Sequence, residues 1–236
     1  FEVGLPQGTM GNSEVGHQNI GAGRIVDQDS GRISRQIAEG KFFTNPELNA
    51  AVDFAKTNGG ALQLMGLVSD GGVHSSMQHL YALIDAAHFH DLPVVVHAFL
   101  DGRDTPPKSA MSYLEPLQAH LEKKGVIGTV SGRYWAMDRD KRWDRVMKAY
   151  TAIVRGPAPH AETIFDLVSS SYDKGVTDEF VEPTRIGDYQ GIKGDFMAEF
   201  GLPELKWEWC GEEVGFGFNF RPDRMRELSA MLLRHP

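Results

Sequence analysis

The sequence predicts an α/β protein with a mostly parallel sheet flanked by helices. Three observations lead there. Strand-like apolar runs alternate with stretches of helical periodicity. The clearest runs, Ala61 to Val68 and Pro93 to Leu100, are apolar almost throughout, as strands covered on both faces are. Each strand run is followed by a polar loop containing glycine, the kind of loop that carries ligand sites at the carboxyl ends of such sheets.

Residues 1–31 are rich in glycine and polar side chains and read as loops and a turn. Thr44-Asn45-Pro46-Glu47 has the form of a helix start, a polar cap and then proline in the first turn. Leu48, Val52 and Ala55 share one face of this helix, and Gly59-Gly60 stops it. The first strand, Ala61 to Val68, leads into Ser69-Asp70-Gly71-Gly72-Val73-His74. Met77 to His88 is helical, with Leu80, Leu83, Ile84 and Ala87 on its apolar face. The second strand opens into Asp101-Gly102-Arg103-Asp104-Thr105-Pro106-Pro107. Lys108 to Lys124 reads as a helix in which Pro116 predicts a kink. Val126 to Val130 is a third strand, and the loop Ser131 to Asp140 enters a helix over Arg142 to Val154. A helix near Ala161 to Tyr172 follows, then an irregular stretch from Gly175 to Trp209. Val214 to Phe220 is a weaker strand because Gly215 and Gly217 interrupt it, and Pro222 to Leu233 is the last helix.

The 236 residues fit one large domain or one and a half small ones, and no internal repeat is visible. Hydrophobic residues at 41% and charged residues at 24% exclude a disordered chain, a fibre and a membrane protein. A net charge of −8 opposes general binding to nucleic acid or to anionic membranes, so an anionic ligand needs a local basic cluster. A lone cysteine, Cys210, excludes an internal disulfide and a thiolate zinc site and fits a reducing compartment such as the cytoplasm. The chain starts at Phe1 inside a motif-rich stretch, which reads as a piece of a longer protein.

Arginine suits bidentate grips on carboxylate and phosphate, and it gathers in the strand-end loops. The first loop offers Asp70 and His74, the second Asp101, Arg103 and Asp104, the third Arg133, Arg139, Arg142 and Arg145, and the last Asn219, Arg221 and Arg224. Arg142 and Arg145 sit at helical spacing beside Asp138, Asp140 and Asp144 and read better as surface ion pairs. Arg139 is open to both readings, while Arg103 and Arg133 each follow a glycine in a tight loop and point to a small anionic ligand. Asp104 is either a loop cap or a general base held near a bound polyol by guanidinium groups. His74 is either a solvated loop residue or a donor to an oxyanion. Ser13 is an ordinary N-cap or a nucleophile at a helix N-terminus with an anion site beside it. His88-Phe89-His90 alternates on a helix end, so its histidines point apart and make no metal pair. Gly21-Ala22-Gly23 lacks the third glycine of a dinucleotide fingerprint and follows no strand, and no Walker A lysine motif exists.

Taken together, MGNSEVGH (Met10–His17), NIGAGR (Asn19–Arg24), SDGGVHS (Ser69–Ser75), FLDGRDTPP (Phe99–Pro107), SGRYWAMDRD (Ser131–Asp140), DEFVEPT (Asp178–Thr184) and NFRPDR (Asn219–Arg224) resemble the cofactor-independent phosphoglycerate mutases. This family is similar in fold and metal chemistry to alkaline phosphatases. The resemblance implies an isomerase of glycolysis and gluconeogenesis, an intramolecular phosphotransferase that interconverts 3-phosphoglycerate and 2-phosphoglycerate through a phosphoserine and uses two Mn²⁺ ions, without 2,3-bisphosphoglycerate. It matches Ser13 to the phosphorylated serine that also touches one metal, and Asp104 to the residue handling the glycerate hydroxyl protons. It matches His74, Arg103, Arg133, Arg139, Arg221 and Arg224 to the grip on substrate carboxylate and phosphate.

The resemblance further implies that residues 1–27 belong to a phosphatase-like domain and that residues 28–236 form the transferase domain inserted into it. The remaining metal ligands and a substrate lysine lie in segments with no match here, and Gly215 and Gly217 replace large apolar strand residues of the family. The implied partner is therefore the missing phosphatase-like domain of the same polypeptide, and the isolated piece is expected to bind substrate without turnover. A module that only binds phosphoglycerate or other anions, and another metal-dependent phosphotransferase of the phosphatase superfamily, are the alternatives.

Overall fold

A computed structural model describes residues 4–5, 13–154, 156–192, 197–199, 208–210 and 213–234. The chain divides into two compact units, Phe1–Asn49 and Ala50–Pro236.

The first unit corrects the reading of residues 1–31 as loops. Helix α1 spans Ser13–Ala22 and α2 spans Asp29–Ala38. The side chain of Asn19 joins α1 to the segment after it. Its amide donates to the Val15 carbonyl at 2.7 Å, and its carbonyl accepts the Val26 N–H at 2.8 Å. In α2, Ile33 and Ile37 alone carry apolar periodicity, so the sequence signal is faint. Charge supports this helix instead, with Asp29 in the first turn, Arg35 in the last, and an Arg32–Asp29 ion pair at 2.7 Å. Met10 to Asn12 of the MGNSEVGH motif lie outside the described residues.

Helix α3, Pro46–Thr57, starts where expected. Asn45 is its cap: the side-chain oxygen accepts the N–H groups of Glu47 and Leu48 at 3.0 and 3.1 Å, and Pro46 gives up no hydrogen bond at that position.

In the second unit, strands β1 (Leu62–Leu67), β2 (Val94–Leu100) and β3 (Gly125–Gly132) form the parallel centre of a six-stranded sheet. Every residue of β1 and all but one of β2 are buried, which explains their continuous apolar runs. Helices α4 (Met77–Phe89), α5 (Met111–His120), α6 (Arg133–Ala136) and α7 (Trp143–Ile153) connect or follow them. Pro116 is accommodated inside α5, which runs unbroken to His120.

The stretch read as irregular contains short elements. A tight 3₁₀ turn covers Asp178–Phe180, after α8 (Ile164–Asp173). Strand β5 (Thr184–Ile186) pairs antiparallel to β3 and parallel to β4 (His160–Ala161). Met197–Glu199 (β6) and Glu208–Cys210 (β7) pair antiparallel as a separate ribbon. Strand β8, Val214–Gly217, is shorter than expected and runs parallel to β1 at the other side of the sheet. The last helix begins as a 3₁₀ turn, Pro222–Arg224, and continues as α9, Arg226–Arg234.

Side chains compensate for the glycines of β8. Glu213 accepts the Ala61 N–H and the Gln63 side-chain amide, both at 2.9 Å, at one end. At the other, Asn219 accepts the Leu67 N–H at 2.9 Å. The Glu213 contact begins a buried polar chain across the strands. Gln63 accepts from His97 at 2.8 Å, and His97 accepts from the Thr129 hydroxyl at 3.0 Å. Because the Glu213 carboxylate only accepts, the Gln63 amide is oriented and the His97 proton is placed on Nε2. Burial pushes the His97 imidazole down to about 3, so the ring is neutral.

Candidate functional site

Strands β1, β2, β3 and β8 run in the same direction, so the loops leaving their carboxyl ends share one rim. At its centre lies Arg133, the first residue of α6, with only 4% of its side chain exposed. Its Nη1 donates to Asp101 at 2.7 Å and to Asp104 at 2.6 Å, and its Nη2 donates to His74 Nε2 at 2.9 Å. One guanidinium thus ties together the three loops after β1, β2 and β3.

A guanidinium only donates, so Nε2 of His74 accepts and its proton sits on Nδ1. That buried Nδ1 has no hydrogen-bond partner in the structure. Burial, followed by repulsion from Arg133 and Arg221, pushes His74 down to about 4 against the pull of Asp104 and Asp223. The ring is therefore a neutral donor at physiological pH.

Asp101 is the acceptor hub. It takes the Ser69 hydroxyl at 2.7 Å and the backbone N–H groups of Arg103 and Asp104 at 3.2 and 3.0 Å, besides Arg133. Burial would raise its pKa, but these bonds outweigh it and hold the carboxyl below its ordinary value. Asp104 is more open, with 27% of its side chain exposed, and its Oδ2 lies 3.8 Å from His74 Nε2. It is thus the carboxylate of the pair that a ligand can reach.

Around this centre stand the other arginines. Arg139, Arg221 and Arg224 approach the single carboxylate of Asp223 at 3.4, 3.8 and 4.0 Å. Arg224 also donates to the Met137 carbonyl at 3.4 Å. Burial, and then the charges of Arg139 and Arg133, lower the Arg224 pKa, with Asp223 opposing and Arg103 adding a smaller repulsion. The positive groups from separate turns therefore feel one another. Arg103 and Arg139 are each 53% exposed. Arg145 is used structurally: it pairs with Asp138 at 3.2 Å and lies 3.9 Å over the Tyr134 ring.

The structure thus brings His74, Arg103, Asp104, Arg133, Arg139, Arg221 and Arg224 to one rim. Sequence reasoning named no role for Asp101, Asp223 or Glu179, which sits 3.7 Å from Arg103. For Asp101 a signal existed: an aspartate directly after a buried strand, with N–H groups two and three residues on to cap, retains a second oxygen for a distant partner. A separate cavity of about 1060 Å³ lies at the amino ends of the strands, lined among others by Gln63, Val95, Tyr189 and Glu213, and none of the rim residues borders it.

Ser13 belongs to the first unit and begins α1. Its side chain is exposed. His17 Nδ1 donates to the Ser13 carbonyl at 2.7 Å and lies 3.3 Å from the hydroxyl. That nitrogen carries the proton, so in this arrangement it does not take one from Ser13. Among the described residues no group of three or more His, Cys, Asp or Glu is arranged to hold a metal ion. The described residues therefore do not by themselves assemble the metal centre that the resemblance implies. Nor is any helix among them long and apolar enough to cross a membrane.

Residues 33–236 match the family described as BPG-independent PGAM N-terminus. The chain belongs to this family. It is 52% identical over 233 residues to the 2,3-bisphosphoglycerate-independent phosphoglycerate mutase of Myxococcus xanthus, covering 98% of this chain and 43% of that protein. It is 51% identical over 234 residues to 2,3-bisphosphoglycerate-independent phosphoglycerate mutase 1 of Methanosarcina barkeri, covering 96% and 42%. A crystal structure of phosphoglycerate mutase from Leishmania mexicana, at low cobalt concentration, superposes with a TM-score of 0.81 at 30% identity, covering 97% of this chain and 42% of that one. The chain therefore spans about two-fifths of the length of these mutases.

Proposed function

We propose that this chain carries the substrate grip and the nucleophilic serine of a mutase that interconverts 3-phosphoglycerate and 2-phosphoglycerate. One observation carries the reading: three guanidinium groups share the carboxylate of Asp223 at 3.4 to 4.0 Å. Such a cluster is under-neutralised, and an anion with several oxygens relieves it. Arg139, Arg221, Arg224 and Arg103 hold the substrate phosphate and carboxylate. Arg133 orients Asp104 and His74, with Asp104 moving the glycerate hydroxyl protons and His74 completing the grip.

Ser13 takes the phosphoryl group on its hydroxyl oxygen, the glycerate turns, and its other hydroxyl takes the group back. A Mn²⁺ ion, whose ligands would come from the rest of the intact polypeptide with Ser13 beside it, would supply charge that favours the serine alkoxide. Residues 1–27 belong with that phosphatase-like part and residues 28–236 with the transferase domain. The reaction belongs to glycolysis and gluconeogenesis, the protein to the cytoplasm, and this chain alone binds substrate without turnover.

Titration calorimetry of the chain with 3-phosphoglycerate, and a mutase assay of the intact protein with Mn²⁺, test the proposal. Binding by the chain together with turnover only by the intact protein is the expected result. Absence of phosphoglycerate binding refutes the grip, and turnover that survives Ser13→Ala in the intact protein refutes the nucleophile.

A further inference from the structure

Arg103 and Arg133 leave their loops after Gly102 and Gly132, and both glycines lean on the Asp178–Phe180 turn. Gly102 has φ +72°, and a Cβ there would stand 3.0 Å from the Glu179 nitrogen. At Gly132 a Cβ would lie 2.2 Å from the Glu179 carbonyl oxygen, inside any permitted contact. The Gly132 N–H donates to the Val181 carbonyl at 2.7 Å.

The turn is anchored by contacts other than the Arg103–Glu179 pair. Asp178 is 1% exposed and accepts the Tyr172 hydroxyl and the Ser109 N–H, the latter at 2.8 Å. Its own N–H donates to the Pro107 carbonyl at 2.9 Å, and the Trp135 indole donates to the Phe180 carbonyl at 3.1 Å. Glu179 therefore stands on a fixed support. Its side chain is 19% exposed, and its Oε1 lies 3.7 Å from Arg103 Nη1.

We propose that Glu179 is a positioning residue for Arg103, holding its guanidinium at the rim in the free protein and competing with the incoming anion for it. The inference rests on the anion-site reading above. A separation of 3.7 Å exceeds a hydrogen bond, so attraction orients Arg103 without saturating its donors. Phosphate or carboxylate oxygens that make direct charge-assisted bonds take the guanidinium over. The ligand must take Arg103 away from this carboxylate, so Glu179 lowers affinity through Arg103 and keeps it releasable.

The test is a double-mutant cycle in the intact protein: wild type, Glu179→Gln, Arg103→Ala and the double variant. Dissociation constants for inorganic phosphate and for 3-phosphoglycerate are measured by calorimetry, with a thermal melt of each protein. Glu179→Gln is expected to tighten both anions about two- to fivefold, the range of a partly exposed ion pair. In the Arg103→Ala background the same substitution is expected to change neither affinity. Unchanged or weakened binding in Glu179→Gln overturns the inference, as does equal tightening without Arg103. Should the Gln variant unfold, Glu179→Asp, which withdraws the carboxylate by one methylene, is expected to tighten binding in the same direction and is judged by the same criteria. A wild-type protein that binds neither anion overturns the anion site and this inference with it, whereas a failed ratio between variants leaves the site standing.

Discussion

Replacing Asp101 separates its charge from its hydrogen-bonding capacity. The side chain is 1% exposed and faces a guanidinium that is 4% exposed. In Asp101→Ala, the Ser69 hydroxyl and the N–H groups of Arg103 and Asp104 lose their acceptor, and Arg133 keeps Asp104 and His74. Breaking a buried pair on one side costs about 3–5 kcal/mol. Asp101→Asn keeps one oxygen for the two backbone donors, and the Ser69 hydroxyl can rotate to accept from the new amide. Only the charge is then lost, which costs about 1.5–3 kcal/mol, as for a hydrogen bond to a charged group.

Urea unfolding followed by tryptophan fluorescence reads both variants, and Trp135 on α6 reports from beside the rim. A pH series adds a second readout. The folded carboxyl of Asp101 titrates below its ordinary value of 3.8, so its stabilisation is complete above that value and is lost as pH falls further. Asp101→Asn should lack that part of the acid limb. Equal costs for the Asn and Ala variants, or costs below about 0.5 kcal/mol for both, would refute the hub role, since changes of that size are ordinary at exposed positions.

In the intact protein, Asp104→Asn should leave the dissociation constant for phosphoglycerate within about twofold and reduce kcat by about 10²–10⁴, the contribution of a positioned acid–base group; normal turnover removes the role. Arg139→Ala should weaken phosphoglycerate binding about tenfold, the loss of one charge-assisted contact, with a melting temperature close to wild type because the side chain is half exposed. Arg133→Ala should weaken binding and also lower the melting temperature, since it strands Asp101 without its cation; an unchanged dissociation constant takes Arg133 out of the site. His97, pushed down to about 3 from 6.5, contributes stability that is complete above pH 6.5 and falls as protons bind the unfolded chain, so moving from pH 7 to 5.5 should cost about 1 kcal/mol through His97, besides a parallel loss through His74. A urea midpoint that stays flat over that range contradicts a neutral buried His97.

The central strands were legible because burial on both faces demands unbroken apolar runs, and β1 and β2 show them directly. The arginines were legible because glycine-bearing loops after parallel strands share a rim. What stayed hidden was the set of carboxylates. Asp101 meets Arg133, 32 residues away, and Arg139 meets Asp223, 84 residues away, and no local pattern encodes such pairs. Glu179 stood inside the DEFVEPT motif without a role because its meaning depends on two glycines in other loops. Helix α2 was missed because ion pairs and two isoleucines, rather than an apolar stripe, support it. Strand β5 has three residues, too few to show any alternation.

The stitching of β8 has a consequence for the rim. Two of the four residues of this outermost strand are glycine, yet Glu213 and Asn219 pin it to the β1 backbone at Ala61 and Leu67. Alignment is thereby delegated to two flanking side chains, and the interior positions are freed for glycine. Asn219 lies two residues before Arg221, so the same pin indexes the cationic loop. Slippage by a single residue would displace Arg221 and Arg224 about 3.3 Å along the strand direction, more than the length of a hydrogen bond. A fault in pairing at this margin would therefore surface as lost ligand affinity before it surfaced as lost fold.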